Sequence, residues 1–445
     1  MYFNSKIIKK GFRERIGKLA AFVATVTIIG FLSTGTIYAA QPIKIGVSLS
    51  LTGKYAWTAN RMQEGMKVWQ KVINEEGYTP GLEKYGHREP GLIDGRAVEF
   101  IIYDDKSDPA TAVKLYQKLL TVDKVDLCWG PYSSAISKAV SPVLERAKMP
   151  AVTNAASDPG IWKGRNLKWV VQALQSTDEY FPGAAEIAAK HGAKTAAIIF
   201  EDTAFPTGLA RSFRKQCEAH GIKVVLFEPY PKGITDWTPN LSKAQALKPD
   251  IIGIGGYEPD SIGVTKAAQA INATPKLFVW TVGTQSPHYV EAVGEACYAM
   301  TGESLWEATL NTPGNKEFRK AFEQLIGTPP SKQVYQQAFG YMGGQILEIA
   351  IKSVGSLNDL AAIRDRLFSM EVETIYGPYK VMSLESEDSG LQIGLKGLLI
   401  QWQKRKPGVK LSADKCVVGD YVKEVIWPEK LKTADPIYPF PGWER

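Results

Sequence analysis

Histidine and cysteine are scarce in this chain of 445 residues, with four of each. His87, His191, His220 and His288 fall in no HExxH or other metal-ligating spacing, and neither a GxSxG elbow nor a Walker A loop occurs. Cys128, Cys217, Cys297 and Cys416 form no CxxC pair and no zinc spacing. An exported chain could bridge two of them, and Cys297 with Cys416 is the pair expected. Cys128, inside the apolar run Val125–Trp129, reads instead as a buried free thiol. Gly253-Ile254-Gly255-Gly256 lacks the third glycine of a dinucleotide fingerprint, because Glu258 stands in its place. Asp104-Asp105 are neighbours on a strand end, where adjacent side chains point apart, so they read as a solvated loop rather than as paired catalytic acids. No catalytic constellation emerges, and no enzyme, cofactor or metal centre is expected.

Charge of one sign is also lacking once the N-terminus is set aside. Residues 1–39 read as an export signal, with a basic start from Lys6 to Lys18 and an apolar run of about a dozen residues from Leu19. Small and polar residues then lead to Tyr38-Ala39-Ala40. The run is shorter than the roughly 20 residues a membrane-spanning helix needs. This segment carries six basic residues and one acidic, so it holds five of the seven net positive charges. What remains is close to neutral and leaves no electrostatic footprint for nucleic acid. After Leu399 no apolar run is long enough to tether a sensory module through a membrane.

What the chain does have is a repeated strand-then-helix rhythm. Ile43–Gly53, IKIGVSLSLTG, is a buried strand that breaks at a Thr-Gly turn, and a helix is predicted over 59–77. Strands at Ala97–Tyr103, Val125–Trp129 and Ala151–Thr153 alternate with helices at 109–122 and 136–148. The rhythm restarts with strands at 195–201, 223–228, 251–255 and 277–280, separated by further helices. Such alternation predicts parallel sheets covered by helices on both faces, and two such blocks predict two α/β, Rossmann-like lobes. Longer helices follow at 334–354 and 359–369, then a hairpin region from Tyr376 to Trp402. Residues 404–445, rich in Lys, Pro and aromatics, read as an extended surface tail. The insert 78–94 lengthens the link between the first helix and the second strand.

In open α/β sheets, ligands sit over the carboxyl ends of the strands. Here those ends carry hydroxyls and rings. Ser133 and Ser134 precede a helix, as does the turn after Ala156-Ser157, and such N-termini suit an anionic group. Tyr55, Trp57, Phe205, Tyr257 and Trp280 lie on equivalent ends of other strands, the lining expected of a small-molecule cleft.

Seven motifs in order resemble one family, the type I periplasmic binding proteins of the branched-chain amino-acid (Leu/Ile/Val) transporter class. They are IKIGVSLSLTG; Asn74-Glu75-Glu76-Gly77; Tyr103-Asp104-Asp105-Lys106-Ser107-Asp108-Pro109; Gly130-Pro131-Tyr132-Ser133-Ser134; Gly208-Leu209-Ala210; Gly255-Gly256-Tyr257; and Tyr376-Gly377-Pro378. The resemblance implies two lobes joined by three crossover hinge segments, closing on a solute and presenting the closed form to a membrane permease in the periplasm, as a monomer. It divides the chain into 40–174 plus 303–376 and 175–302 plus 377–403, with 404–445 as tail. It implies that Ser133 or Ser134 holds a solute carboxylate, aided by backbone amides and the hydroxyl around Ala155, Ala156 and Ser157. Trp57 and Phe205 would wall the side-chain pocket, with Trp280 beside it, and Tyr257 would reach the solute's polar end.

One position departs from the family pattern. The family's amino-acid binders place an acid just before the glycine after the strand that ends here at Trp280, to neutralise the solute's ammonium; this chain has Val282. Asp178 or Glu258 could substitute. Without an acid, a buried ammonium costs several kcal/mol. The expectation therefore leans to solutes lacking a free α-amino group, aromatic or other carboxylates first, with an amino acid as the other reading.

Overall fold

The computed structural model describes residues 41–85 and 89–443; the export segment expected over 1–39 and His87 of the insert lie outside them. Five strands build the first sheet: β1 (Ile43–Leu49), β2 (Val98–Asp104), β3 (Leu127–Trp129), β4 (Ala151–Thr153) and β5 (Val170–Gln172). Their spatial order is β2-β1-β3-β4-β5 and every pairing is parallel, with Ile43 opposite Val98 and Leu49 opposite Asp104. β1 is buried on both faces except at Lys44, which is why it reads as a continuous apolar run rather than a simple alternation.

The second sheet begins with β6 (Thr195–Glu201), β7 (Lys223–Tyr230), β8 (Ile251–Gly255), β9 (Leu277–Trp280) and β10 (Thr301–Ser304). After a two-stranded pair, β11 (Val372–Thr374) with β12 (Gly377–Tyr379), the chain adds β13 (Leu398–Lys404), β14 (Val417–Val418) and β15 (Tyr421–Trp427). The order is β14-β15-β13-β10-β9-β8-β6-β7, parallel from β7 to β10 and antiparallel beyond. In each sheet the chain reverses its direction of growth beside its first strand, between β1 and β3 and between β6 and β8. These switch points open a crevice at the strands' carboxyl ends.

The chain passes between the sheets three times. The first passage runs between β5 and β6. The second follows Ser304 rather than residue 303, because Glu303 and Ser304 pair with Leu399 and Leu398 in the second sheet. The third lies beyond Gln392 rather than at 377, because Gly390 and Gln392 bond to Gln172 beside β5. The tail also differs from expectation. Tyr421–Trp427 pairs along β13 with Val422, Val425 and Ile426 buried, and Phe440 and Trp443 cover Phe278 at ring-centroid distances of 5.1 and 5.6 Å. Residues 416–443 thus help to complete the second core instead of only wrapping its surface. All four cysteines are free and buried, so the expected Cys297–Cys416 bridge does not form. Burial raises the thiols of Cys297 to about 12 and Cys416 to about 11, which leaves both inert near neutrality.

The first lobe is centred on two long helices, Ala56–Glu76 and Tyr335–Val354, that cross with their backbones nearly touching. A Cβ at Gly65 would lie 1.9 Å from the Gln337 carbonyl oxygen, and one at Gly340 would lie 2.2 Å from that of Met62. These two glycines set the crossing distance, and the Tyr335 end of the second helix is thereby held over the strand ends. Gly340→Ala is expected to destabilise the fold by about 1–3 kcal/mol through overpacking. Urea unfolding checks this; wild-type stability would mean that the helices separate without cost.

Candidate functional site

The first lobe contributes three turns that are stitched together by their own side chains. After β3 the chain runs Gly130-Pro131-Tyr132 to Ser133, which has φ of 83° and caps the helix Ser134–Ala147 by accepting from the Ile136 N–H at 3.3 Å. Ser134 Oγ accepts from the backbone N–H groups of Ser157 (3.2 Å) and Asp158 (3.1 Å), joining this turn to the one after β4. Ser157 Oγ lies 2.7 Å from the Tyr180 hydroxyl, which ties that turn to the first passage between lobes. The turn after β1 brings in Thr58.

The second lobe faces these turns with rings. Tyr257, after β8, lies 4.7 Å from Tyr55 and 5.7 Å from Phe205, which follows β6; Phe205 in turn lies 5.7 Å from Tyr180. Tyr335 and Phe339, one turn apart on the second long helix, and Val282 after β9 close the remaining wall. Together these residues surround a cavity of about 30 Å³, room for about one water and far below the size of a ligand cavity, so a solute needs the walls to part. No Asp, Glu, Lys, Arg or His lines it. The Tyr257 hydroxyl is buried without a hydrogen-bond partner, a polar atom still open to a solute.

Six of the nine residues expected at the site line this cavity: Ser133, Ser134, Ala155, Ser157, Phe205 and Tyr257. Three do not. Trp57 sits one helical position before Thr58, a rotation of about 100°. Its indole faces an adjoining groove, stacked 6.5 Å from His288 and 5.8 Å from the Arg61 guanidinium. Trp280 shares the face of β9 that carries Phe278, 5.0 Å away, and is fully buried in the second core. Ala156 is buried behind the wall, its carbonyl accepting from Gln172 Nε2 at 2.9 Å. Sequence reasoning missed Thr58, Tyr132, Leu174, Tyr180, Val282, Tyr335 and Phe339. Tyr132 lies inside the Gly130–Ser134 motif and could have been read there; Tyr335 and Phe339 carry no local sign beyond helical spacing.

Neither acid considered as a substitute at Val282 is available. Asp178 pairs with Lys163 at 2.9 Å and accepts from Ser212, and Glu258 pairs with His288 at 2.6 Å. Val282 itself has φ of 41°, rare for a β-branched residue, and donates its N–H to Glu303 Oε1 at 2.9 Å.

A buried ionic contact joins the lobes at the cavity's edge. Lys54, in the turn after β1, reaches Glu201 at the end of β6 and lies 3.3 Å from Asp260 on the helix Glu258–Ala270. Burial lowers the Lys54 pKa, and the charge of Asp260 opposes that shift. The two acids are themselves almost wholly enclosed.

The sequence pattern of the periplasmic binding protein family matches residues 42–386. The leucine-, isoleucine-, valine-, threonine- and alanine-binding protein of Pseudomonas aeruginosa is 26% identical over 317 residues, covering 71% of this chain and 79% of that one. A Leu/Ile/Val-binding protein homolog of Brucella abortus is 24% identical, covering 78% and 85%. Among solved structures, a leucine-binding protein of Thermotoga maritima superposes with a TM-score of 0.68 at 23% identity, covering 81% of this chain and 95% of that one. A solute-binding protein of an R. palustris ABC transporter, in complex with 4-hydroxybenzoate, superposes with a TM-score of 0.69 at 22% identity, covering 86% and 96%. The chain therefore belongs to the periplasmic binding protein family. That family binds solutes rather than transforming them, and these relatives are all binding proteins.

Replacing Lys54 with Met leaves two enclosed acids without their cation, so Lys54→Met is expected to destabilise the protein by on the order of 3 kcal/mol. Adding Glu201→Gln should recover part of the loss. Chemical unfolding of both variants checks this, and an unaffected single variant would show that the contact contributes nothing.

Proposed function

We propose that this protein is the exported solute receptor of an ABC importer, working as a monomer in the periplasm. Its lobes close on one small solute, and the closed form is recognised by a membrane permease. Support for a receptor over a tethered sensor is that no helix among the described residues is long and apolar enough to cross a membrane.

The solute we infer is a small carboxylate without a free ammonium group, an aromatic acid first. The observation that carries this is a ring-walled cavity with hydroxyls at one end and no charged side chain. A carboxylate is suited to the N-terminus of the helix Ser134–Ala147, where the helix dipole, backbone amides and the Ser133 hydroxyl favour negative charge. An ammonium group would be desolvated there with no counter-charge, at a cost of several kcal/mol. A bound benzoate in a solute-binding protein of R. palustris shows that this fold accommodates such a ligand in a relative. The amino-acid reading draws on the Leu/Ile/Val-binding relatives.

A thermal-shift screen with benzoate, 4-hydroxybenzoate, L-leucine and L-phenylalanine separates the two. Aromatic acids are expected to raise Tm, with about 2.7 kcal/mol of added stability at 100 times Kd. Ser133→Ala should weaken that binding about tenfold or more, the loss of a hydrogen bond to a charged group. Stabilisation by the amino acids alone would overturn the carboxylate reading.

A further inference from the structure

Glu303 is a buried acid behind the cavity wall that the solute reading above does not use. It lies at the end of β10, one residue before the second passage between lobes, and is fully buried. Its Oε1 accepts from the Val282 N–H at 2.9 Å and from the Tyr335 hydroxyl at 3.1 Å, and both of those residues line the cavity. Its Oε2 is buried with no hydrogen-bond partner. Among the described residues no lysine, arginine or histidine pairs with it. The groups that face it are Thr281 and Val282 from the turn after β9, Tyr335 from the long helix, and Tyr132 and Tyr180 from the first lobe's turns. All are neutral near physiological pH.

We propose that Glu303 is the specificity-determining residue of the cavity: one carboxyl oxygen positions Val282 and Tyr335, the other has no partner, and an anionic solute therefore binds only together with a proton on Glu303. This inference rests on the carboxylate reading of the cavity. An ionised Glu303 would set a second negative charge beside a solute carboxylate in a site poor in water, and repulsion there is weakly screened. A protonated Glu303 removes that repulsion, and its Oε1 still accepts from Val282 and Tyr335. The proton comes from solvent, so one proton is taken up per solute bound wherever the free protein holds Glu303 ionised. A zwitterionic solute would reverse the sign, since its ammonium favours the ionised acid and binding would then release the proton.

Burial raises the Glu303 carboxyl from the ordinary value of 4.5 to about 7, against the backbone amides of Val282 and Glu303 and the hydroxyls of Thr281 and Tyr335. The folded protein thus keeps a proton that the unfolded chain loses, and its stability falls as pH rises from about 4.5 to about 7. Glu303→Gln keeps an acceptor for both donors but cannot ionise.

Two measurements test the proposal. In the first, unfolding of solute-free wild type and Glu303→Gln is compared from about pH 5 to about pH 8. Wild type should lose stability relative to the variant across that range, and parallel profiles would overturn the proposal. In the second, benzoate and L-leucine binding are titrated over the same range. Wild-type affinity for benzoate should fall above about pH 7 towards a limit of roughly tenfold per pH unit, the slope of one linked proton. Glu303→Gln should bind with no such slope, and Tyr335→Phe, which removes a donor to the carboxylate, should move the midpoint upward. Benzoate binding with the same slope in wild type and Glu303→Gln would overturn the role of Glu303 and leave the solute reading standing. Leucine binding that strengthens with pH, with none for benzoate, would overturn the anionic solute. If neither probe binds at any pH, the carboxylate reading fails and takes the coupling with it, while the solute-free comparison still decides whether Glu303 holds its proton.

Discussion

A parallel sheet ends in a row of turns, and the amides and carbonyls of those turns need partners once a second lobe covers them. In this protein the turn side chains supply most of those partners themselves. Asp105 takes the hydroxyls of Ser48 and Ser50 and the N–H of Ser107. Ser134 accepts two amides of the neighbouring turn, and Asp260 accepts the N–H of Tyr257 at 2.7 Å. The bonds of Ser48 and Ser50 to Asp105, and of the Ser157 and Asp158 amides to Ser134, fix one segment against another, while those to Ser107 and Tyr257 hold a single turn in shape. What these turns leave unpartnered, such as the Tyr257 hydroxyl, is what a solute can use. A site of this kind is a residue of incomplete satisfaction, placed at the two switch points by the topology of the sheets.

The legible part of the sequence follows from this geometry. Strands buried on both faces appear as apolar runs, and each ends in a turn rich in Ser, Asp and Gly, so β1, β3, β6 and β8 and the residues just after them could be read directly. That is how Ser133, Ser157, Phe205 and Tyr257 were found. Trp57 and Trp280 were misplaced because proximity to a strand end does not give the phase of the side chain. One helical step turns Trp57 out of the cavity, and the two-residue period of β9 puts Trp280 beside Phe278 in the core. Glu303 gave no signal, because β10 is a short strand whose neighbours come from β9 and from β13, far along the chain. β15 was hidden for a related reason. Its alternation is broken by two adjacent buried residues, Val425 and Ile426, where the pairing with β13 shifts register.

Charge is distributed around the cavity with a consistent logic. Lys54, Glu201 and Asp260 are close enough to compensate one another at the rim; Asp178 has Lys163 farther out, and Glu258 is hydrogen-bonded to His288. Among the described residues Glu303, like Asp105, has no cation paired with it. The interior can tolerate it as a neutral acid, because an uncharged carboxyl loses far less on burial than a carboxylate. On the proposed carboxylate reading, the cavity discriminates less by a matching charge than by the energetic penalty on charges it cannot match.

The Lys54 contact bears on how such a clamp responds to its solute. Because the contact bridges the lobes through side chains of the protein alone, it favours the arrangement in which they meet. A solute can shift the balance between open and closed forms only by the difference in its affinity for them. The rings of Phe205 and Tyr257 and the capped helix belong to different lobes, so an arrangement that brings the lobes together offers both to one molecule. The ionic contact lowers the energy that the solute must supply, and it raises apparent affinity by enlarging the fraction of protein already competent to bind. Too strong a contact would close the clamp on nothing and remove the signal a permease reads. Burial of Lys54 offsets part of the attraction to Asp260, since taking an ammonium out of water costs free energy.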